Sequence, residues 1–234
     1  MSGVRVDDDG AIVEASSGAA AADHVVLALP PALAVDAIAF TPTLPEPIAD
    51  LAADTAVWMG GVVKAVAVYD QPFWRSAGLS GSAMSHVGPF RELHDHSGPD
   101  GPFALFGFAV ADRLDGAPAE QIGAAFSGQL VRLFGPAAAE PRALHVTNWS
   151  QERYTSPQAP SLRASTDRYG HPLFQQLVGG RIHWASTETA TDYAGHIEGA
   201  IRAGIQAARS ITHLAAGGTT RTASGERQER SCTN

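Results

Sequence analysis

The sequence has 234 residues, 44% of them hydrophobic and 17% charged, enough to build one large or two modest domains around a substantial core. A net charge of -8 argues against nucleic acid as a partner, because phosphate binding draws on Lys and Arg. The single cysteine, Cys232, excludes an internal disulfide and a Cys-based metal site and suits a reducing, cytoplasmic setting; residues 1–9 carry no apolar leader core, and no run approaches the roughly 18 apolar residues that span a bilayer.

Val4 and Val6 alternate with polar neighbours, Asp7-Asp8-Asp9-Gly10 supplies a turn, and Ile12-Val13 follows, which predicts a β-hairpin. Gly18–Ala22 reads as a small, flexible stretch. His24–Leu29 is the apolar run of a buried parallel strand, ended by Pro30-Pro31. A helix is expected from about Glu46 to Thr55. Val62–Tyr69 and Phe103–Val110 are the clearest strands. Ala117–Phe134 has helical spacing, with Ile122, Phe126, Leu130 and Leu133 near one face. Arg142–Trp149 and Arg181–Ala185 read as strands, whereas Leu162–Gly180 has no sustained period. A last helix runs from His196 to about His213 with Ile197, Ile201, Ile205 and Ala208 on one stripe. Residues 216–234 read as a disordered tail.

Three features can carry chemistry. Lys64 shares a strand face with Val62, Val66 and Val68. It is either the guard lysine of an edge strand or a lysine aimed into a cavity. Ala185-Ser186-Thr187-Glu188-Thr189-Ala190 is either a plain turn with Ser and Thr caps or a small-residue segment whose Glu188 accepts from ligand hydroxyls. Gly195-His196-Ile197 opens the last helix, where free amides and the dipole can hold an electronegative atom.

Taken in order, these segments resemble the flavin monoamine oxidase family, which includes polyamine and L-amino-acid oxidases. The resemblance runs through Ala22-Asp23-His24-Val25-Val26-Leu27-Ala28-Leu29-Pro30-Pro31, Gly61-Val62-Val63-Lys64, Tyr69-Asp70-Gln71-Pro72-Phe73-Trp74, Trp149-Ser150-Gln151-Glu152-Arg153-Tyr154, Arg181-Ile182-His183-Trp184-Ala185-Ser186-Thr187-Glu188-Thr189-Ala190 and Gly195-His196-Ile197-Glu198-Gly199-Ala200. It covers about residues 4–212. It implies an α/β (α+β) fold, the C-terminal part of a two-domain flavoprotein. Residues 1–31 and 146–215 would belong to a partial FAD-binding domain, and 32–145 to a mixed-sheet substrate domain.

The resemblance also implies an activity, FAD-dependent oxidation of an amine to an imine with release of hydrogen peroxide. Lys64 matches the lysine that holds a water beside the flavin. Trp149 matches a tryptophan packed near the flavin ring. Ser186, Thr187 and Glu188 fall in the cofactor segment, and the Ile197 amide matches the donor to the flavin pyrimidine. His196 and Tyr193 are the expected substrate-pocket residues.

This sequence departs from the family at several positions. Ser186 stands where Gly is usual, and His196 stands where an aromatic cage places a tyrosine. No second cage aromatic occurs around Ala159, and Gln158 falls where some members attach flavin through a cysteine, so FAD is expected to be non-covalent. No G-x-G-x-x-G occurs in the sequence. The expected partners are therefore a small-molecule amine and an N-terminal half or a second copy, with no metal, nucleic acid or membrane. The alternatives are a non-catalytic remnant and a half-enzyme that needs a separate N-terminal chain.

Overall fold

A computed structural model describes residues 1–114, 116–158 and 161–225, with side chains through 216. The chain divides into two compact units, Met1–Val57 with Pro157–Asn234, and Trp58–Ser156.

The first unit begins with the predicted hairpin. β1 (Gly3–Val6) and β2 (Ala11–Ala15) pair antiparallel, with Val4 opposite Val13, and Asp7 Oδ1 accepts from the amides of Asp9 and Gly10 to shape the turn. Gly18–Ala22 departs from the expectation: it forms β3 (Gly18–Ala22), paired antiparallel to β2. Its alanines give the sequence no alternation to read, and backbone pairing alone makes the strand.

β4 (Val25–Leu27) follows. The prolines after it do more than end a ladder, because Pro31 starts α1 (Pro31–Ala37), where its missing N–H costs nothing. β5 (Ala39–Thr41) returns parallel to β1, and α2 (Glu46–Ala53) packs on α1. Val4, Val25, Leu27, Ala34, Ile38, Ile48 and Leu51 share one core with Phe174, Ile182 and Trp184. This core explains why the unit extends to Val57, past the boundary expected at residue 31.

The second unit is one antiparallel sheet backed by a helix. β6 (Val62–Tyr69) leads through the short α3 (Phe73–Ser76) to β7 (Ala83–Met84), β8 (Phe90–Asp95) and β9 (Phe103–Val110). α4 (Ala119–Phe134) then crosses the sheet, and β10 (Ala143–Asn148) completes it in the order β10-β6-β9-β8-β7. β10 pairs with β6 along its whole length, which keeps the chain in this unit to Ser156 rather than 145. Val63, Ala65 and Ala67 face Ile122, Phe126 and Leu130 of α4 in the core. Trp74 is fully buried, and its indole N–H donates to Asp95 Oδ2 at 2.9 Å.

β11 (Ile182–Trp184) re-enters the first unit parallel to β4, with Ile182, His183 and Trp184 opposite Val25, Val26 and Leu27. Arg181 fastens the junction by donating to the carbonyls of Asp7, Asp8 and Asp23. α5 (Ile197–Gly225) runs past the end expected near His213, so residues 216–225 are helical; the rest of the expected tail, with Cys232, lies outside the described residues. Gly199, Ala203 and Ala207 form its buried face, while Ile197, Ile201 and Ile205 stand outside at 83%, 52% and 46% exposure.

Asp95 supports a pH prediction. Burial alone raises its carboxyl, but hydrogen bonds from Ser97, Trp74 and Arg75 outweigh burial and lower it from 3.8 to about 2. Native Asp95 therefore stays charged where an unfolded carboxyl takes up a proton. Its contribution is complete above pH 3.8 and is lost as pH falls through about 2. Acid titration of the second unit by near-UV CD should show this loss, and Asp95→Asn should remove that component and lower stability at neutral pH.

Candidate cofactor-binding segment and the lone lysine

The segment after β11 lies in the first unit. Ala185 extends the parallel pairing by one step, its amide donating to the Leu27 carbonyl at 3.0 Å. A single 3-10 turn, Thr187–Thr189, follows. Its neighbours hold it closely: Thr189 Oγ1 donates to the Ser186 carbonyl at 2.8 Å, the Gly170 amide to the Glu188 carbonyl at 2.9 Å, and Gln175 Nε2 to the Thr189 carbonyl at 2.7 Å. Thr187 Oγ1 donates to the His196 carbonyl at 2.7 Å, which ties this turn to the start of α5.

Several backbone groups of this segment are paired, yet some side chains are not. Trp184 Nε1, Ser186 Oγ and Glu188 Oε2 are buried without a hydrogen-bond partner among the described residues. Leaving one such group unpaired costs about 1–3 kcal/mol, which makes Ser186 and Glu188, both on the turn after β11, candidates for a polar ligand. A hydroxyl and a carboxylate oxygen suit a ligand that carries hydroxyls, whereas the Trp184 ring packs in the core of the first unit. Glu188 is 5% exposed, so its side chain is shielded from bulk water.

α5 begins beside this turn. Gly199 lies so near Tyr193 that a Cβ would collide with the Tyr193 carbonyl and press on Thr187 Oγ1. Tyr193 itself holds a left-handed backbone, φ 54°. Its ring lies 4.9 Å from the Arg202 guanidinium, which pairs with Glu198 at 2.8 Å. His196 Nδ1 lies 3.0 Å from the Ala194 carbonyl. Tyr193, His196 and Ile197 are all exposed on this turn, whereas Ser186 and Glu188 are buried.

Lys64 and Trp149 lie in the second unit. Trp149 is half-buried on a 3-10 turn after β10, and its carbonyl accepts from Ser156 Oγ at 3.0 Å. The edge-strand explanation of Lys64 fails, because β6 is flanked by β10 and β9. Lys64 stands opposite Thr147 and Phe108, on the face turned away from α4. One signal in the sequence had gone unread: Lys64 is the only lysine, and the other basic residues of the 16 are arginines. Ala159, the expected site of the missing cage aromatic, lies outside the described residues.

Sequence reasoning also missed a histidine pair. His183 Nε2 and His24 Nδ1 lie 3.2 Å apart, and His183 is 5% exposed. Their meeting depends on the β4–β11 register, which local pattern does not contain. Among the described residues no group of three or more His, Cys, Asp or Glu could hold a metal ion, and no helix is long and apolar enough to cross a membrane.

These features fit a flavoprotein of the amine-oxidising class. The sequence profile of flavin-containing amine oxidoreductases matches residues 1–212, and the chain belongs to that family. It is 38% identical over 216 residues to the Mycobacterium tuberculosis protein AofH, a candidate flavin-containing monoamine oxidase, covering 90% of this chain and 46% of that protein. It is 32% identical over 221 residues to an L-amino acid dehydrogenase of Synechocystis, covering 90% and 45%. Among solved structures it resembles putrescine oxidase bound to putrescine, with a TM-score of 0.75 and 29% identity over 90% of this chain and 47% of that one. Cyclohexylamine oxidase from Brevibacterium oxydans matches with the same TM-score and identity, over 91% and 48%. The chain thus spans about half the length of these relatives.

Two outcomes follow. Gly199→Ala should destabilise the first unit by about 1–3 kcal/mol, read from the urea midpoint, because the added methyl meets backbone rather than a movable side chain. The His183 imidazole is held below its ordinary 6.5 by burial first and by His24 second. Unfolded His183 therefore binds its proton before the native residue does. Its stability contribution is full above pH 6.5 and is lost as pH falls through the lower native value, and His183→Gln should flatten that part of a stability-against-pH curve.

Proposed function

We propose that this chain forms the C-terminal part of an FAD-dependent amine oxidase that converts an amine to an imine with release of hydrogen peroxide. The observation that carries the reading is the pair of buried, unpartnered side-chain atoms at Ser186 and Glu188 in a chain of this family. Bound non-covalently, FAD would supply the redox chemistry: a hydride equivalent leaves the amine's α-carbon C–H bond, the nitrogen loses a proton as C=N forms, and O2 takes up both electrons and both protons as hydrogen peroxide. Glu188 accepts from the cofactor's sugar hydroxyls, and Ser186 and Thr187 flank them. The Ile197 amide, at the positive end of α5, donates to the flavin pyrimidine. Trp149 packs against the ring system, and Lys64 holds the water that handles the proton on the reacting side. Tyr193 and His196 line the substrate pocket. With His196 at that position, amine specificity departs from that of a two-aromatic cage.

In this reading residues 1–57 and 157–215 are the FAD-binding portion and 58–156 the substrate portion, working in the cytoplasm as suits a single cysteine. The exposed Val26, Ile197, Ile201 and Ile205 leave apolar surface on this portion that an N-terminal dinucleotide-binding half would cover.

Visible absorbance after gel filtration tests this. The purified chain with added FAD should retain little flavin. Co-expression with the N-terminal half of a relative should give stoichiometric flavin and amine-dependent peroxide. In that assembly Glu188→Gln should weaken FAD about tenfold, the equivalent of one charge-assisted hydrogen bond. Full flavin affinity in a Glu188→Gln, Ser186→Ala double variant would end the assignment of this segment.

A further inference from the structure

The chain has one lysine, Lys64. Among the described residues Lys64 has no ion pair. Its ammonium lies 4.7 Å from the centre of the Phe106 ring and 5.9 Å from that of Phe108. Phe108 is the directly opposed residue in the register, while Phe106 is the diagonal neighbour, opposite Val66. The closer contact is therefore the diagonal one, made by a side chain long enough to reach across the pleat.

Phe106 is itself gripped by other rings. His94 stacks obliquely on it at 5.4 Å, and His96 and Phe108 meet it edge-on, each at 5.2 Å. Glu92 lies 3.8 Å from His94 Nε2 and so engages the imidazole rather than the lysine. An ammonium on a four-carbon stem would otherwise sample many rotamers. Here it rests on a π-face whose orientation is already fixed, and such a face attracts cations electrostatically.

We propose that Phe106 is the positioning residue for Lys64, acting through its ring face, and that His94, His96 and Phe108 act by fixing that ring. The functional weight of this contact rests on the proposed role of Lys64 in amine oxidation, but the contact itself can be read without turnover.

A chain grown with 13C-lysine gives one set of lysine side-chain signals, since there is one lysine. Ring current should move the ε-methylene protons of Lys64 upfield of the free-lysine position. Phe106→Tyr and Phe106→Trp should keep that shift. Phe106→Leu, which preserves apolar bulk without a π-face, should abolish it, and Phe108→Leu should reduce it less. A wild-type signal at the free-lysine position overturns the proposal whether or not any variant folds. So does an unchanged shift in Phe106→Leu. In the flavin-loaded assembly, Phe106→Leu should cost most of the rate that Lys64→Met costs, with Phe106→Tyr restoring it. If the ring-current pattern holds while Lys64→Met and Phe106→Leu both leave turnover unchanged, the contact stands and the oxidase role of Lys64 falls.

Discussion

The parallel pairing of β4 with β11 is the constraint on which the first unit depends. Val25, Val26 and Leu27 come before the whole second unit in sequence, and Ile182, His183 and Trp184 come after it. A three-residue ladder is weak by itself, because parallel pairing needs cover on both faces to hold. Trp184 and Ile182 supply one cover by entering the core with Val25, Leu27 and Phe174. Ala203 and Ala207 of α5 are buried, and they line a small cavity shared with His183 and Trp184. Arg181 adds a clamp in which one guanidinium satisfies carbonyls of both the first hairpin turn and the residue before His24. The segment with the unpartnered polar atoms begins where this ladder ends, so its geometry is inherited from the pairing.

The two candidate centres solve the problem of buried polarity differently. At Ser186 and Glu188 the protein leaves a hydroxyl and a carboxylate oxygen without partners among the described residues, which costs stability. At Lys64 it supplies the partner itself, in the form of aromatic faces. The first arrangement suits an occupant that arrives from outside. The second suits a side chain that must keep its charge and one place on the sheet.

Local pattern gave much of the fold. The Val4–Val13 hairpin, the strands at 62–69 and 103–110 and the helix ending at Phe134 were legible because their apolar residues repeat at the period of the element they form. β3 was not, since five residues of Gly and Ala carry no period. Nor were β7 and β8, whose six-residue strand FRELHD shows two buried positions spaced by three. The central place of β6 is a topological fact. Sequence left Lys64 either an edge guard or a cavity lysine, and the pairing of β10 with β6 removes the first of these. Motif order recovered the family, and the half-length match agreed with it. What no pattern contained were the meetings across strands: His24 with His183, and Lys64 with Phe106.

A chain with one lysine also has one cleavage point for a lysine-specific protease. That bond lies in β6, hydrogen-bonded on both sides by β9 and β10, so the protease can take it only after the middle of the second unit has come apart. Every cut at residue 64 therefore marks a molecule in which that sheet has opened. The same scarcity that singles Lys64 out chemically gives the second unit a built-in, single-event record of its own unfolding.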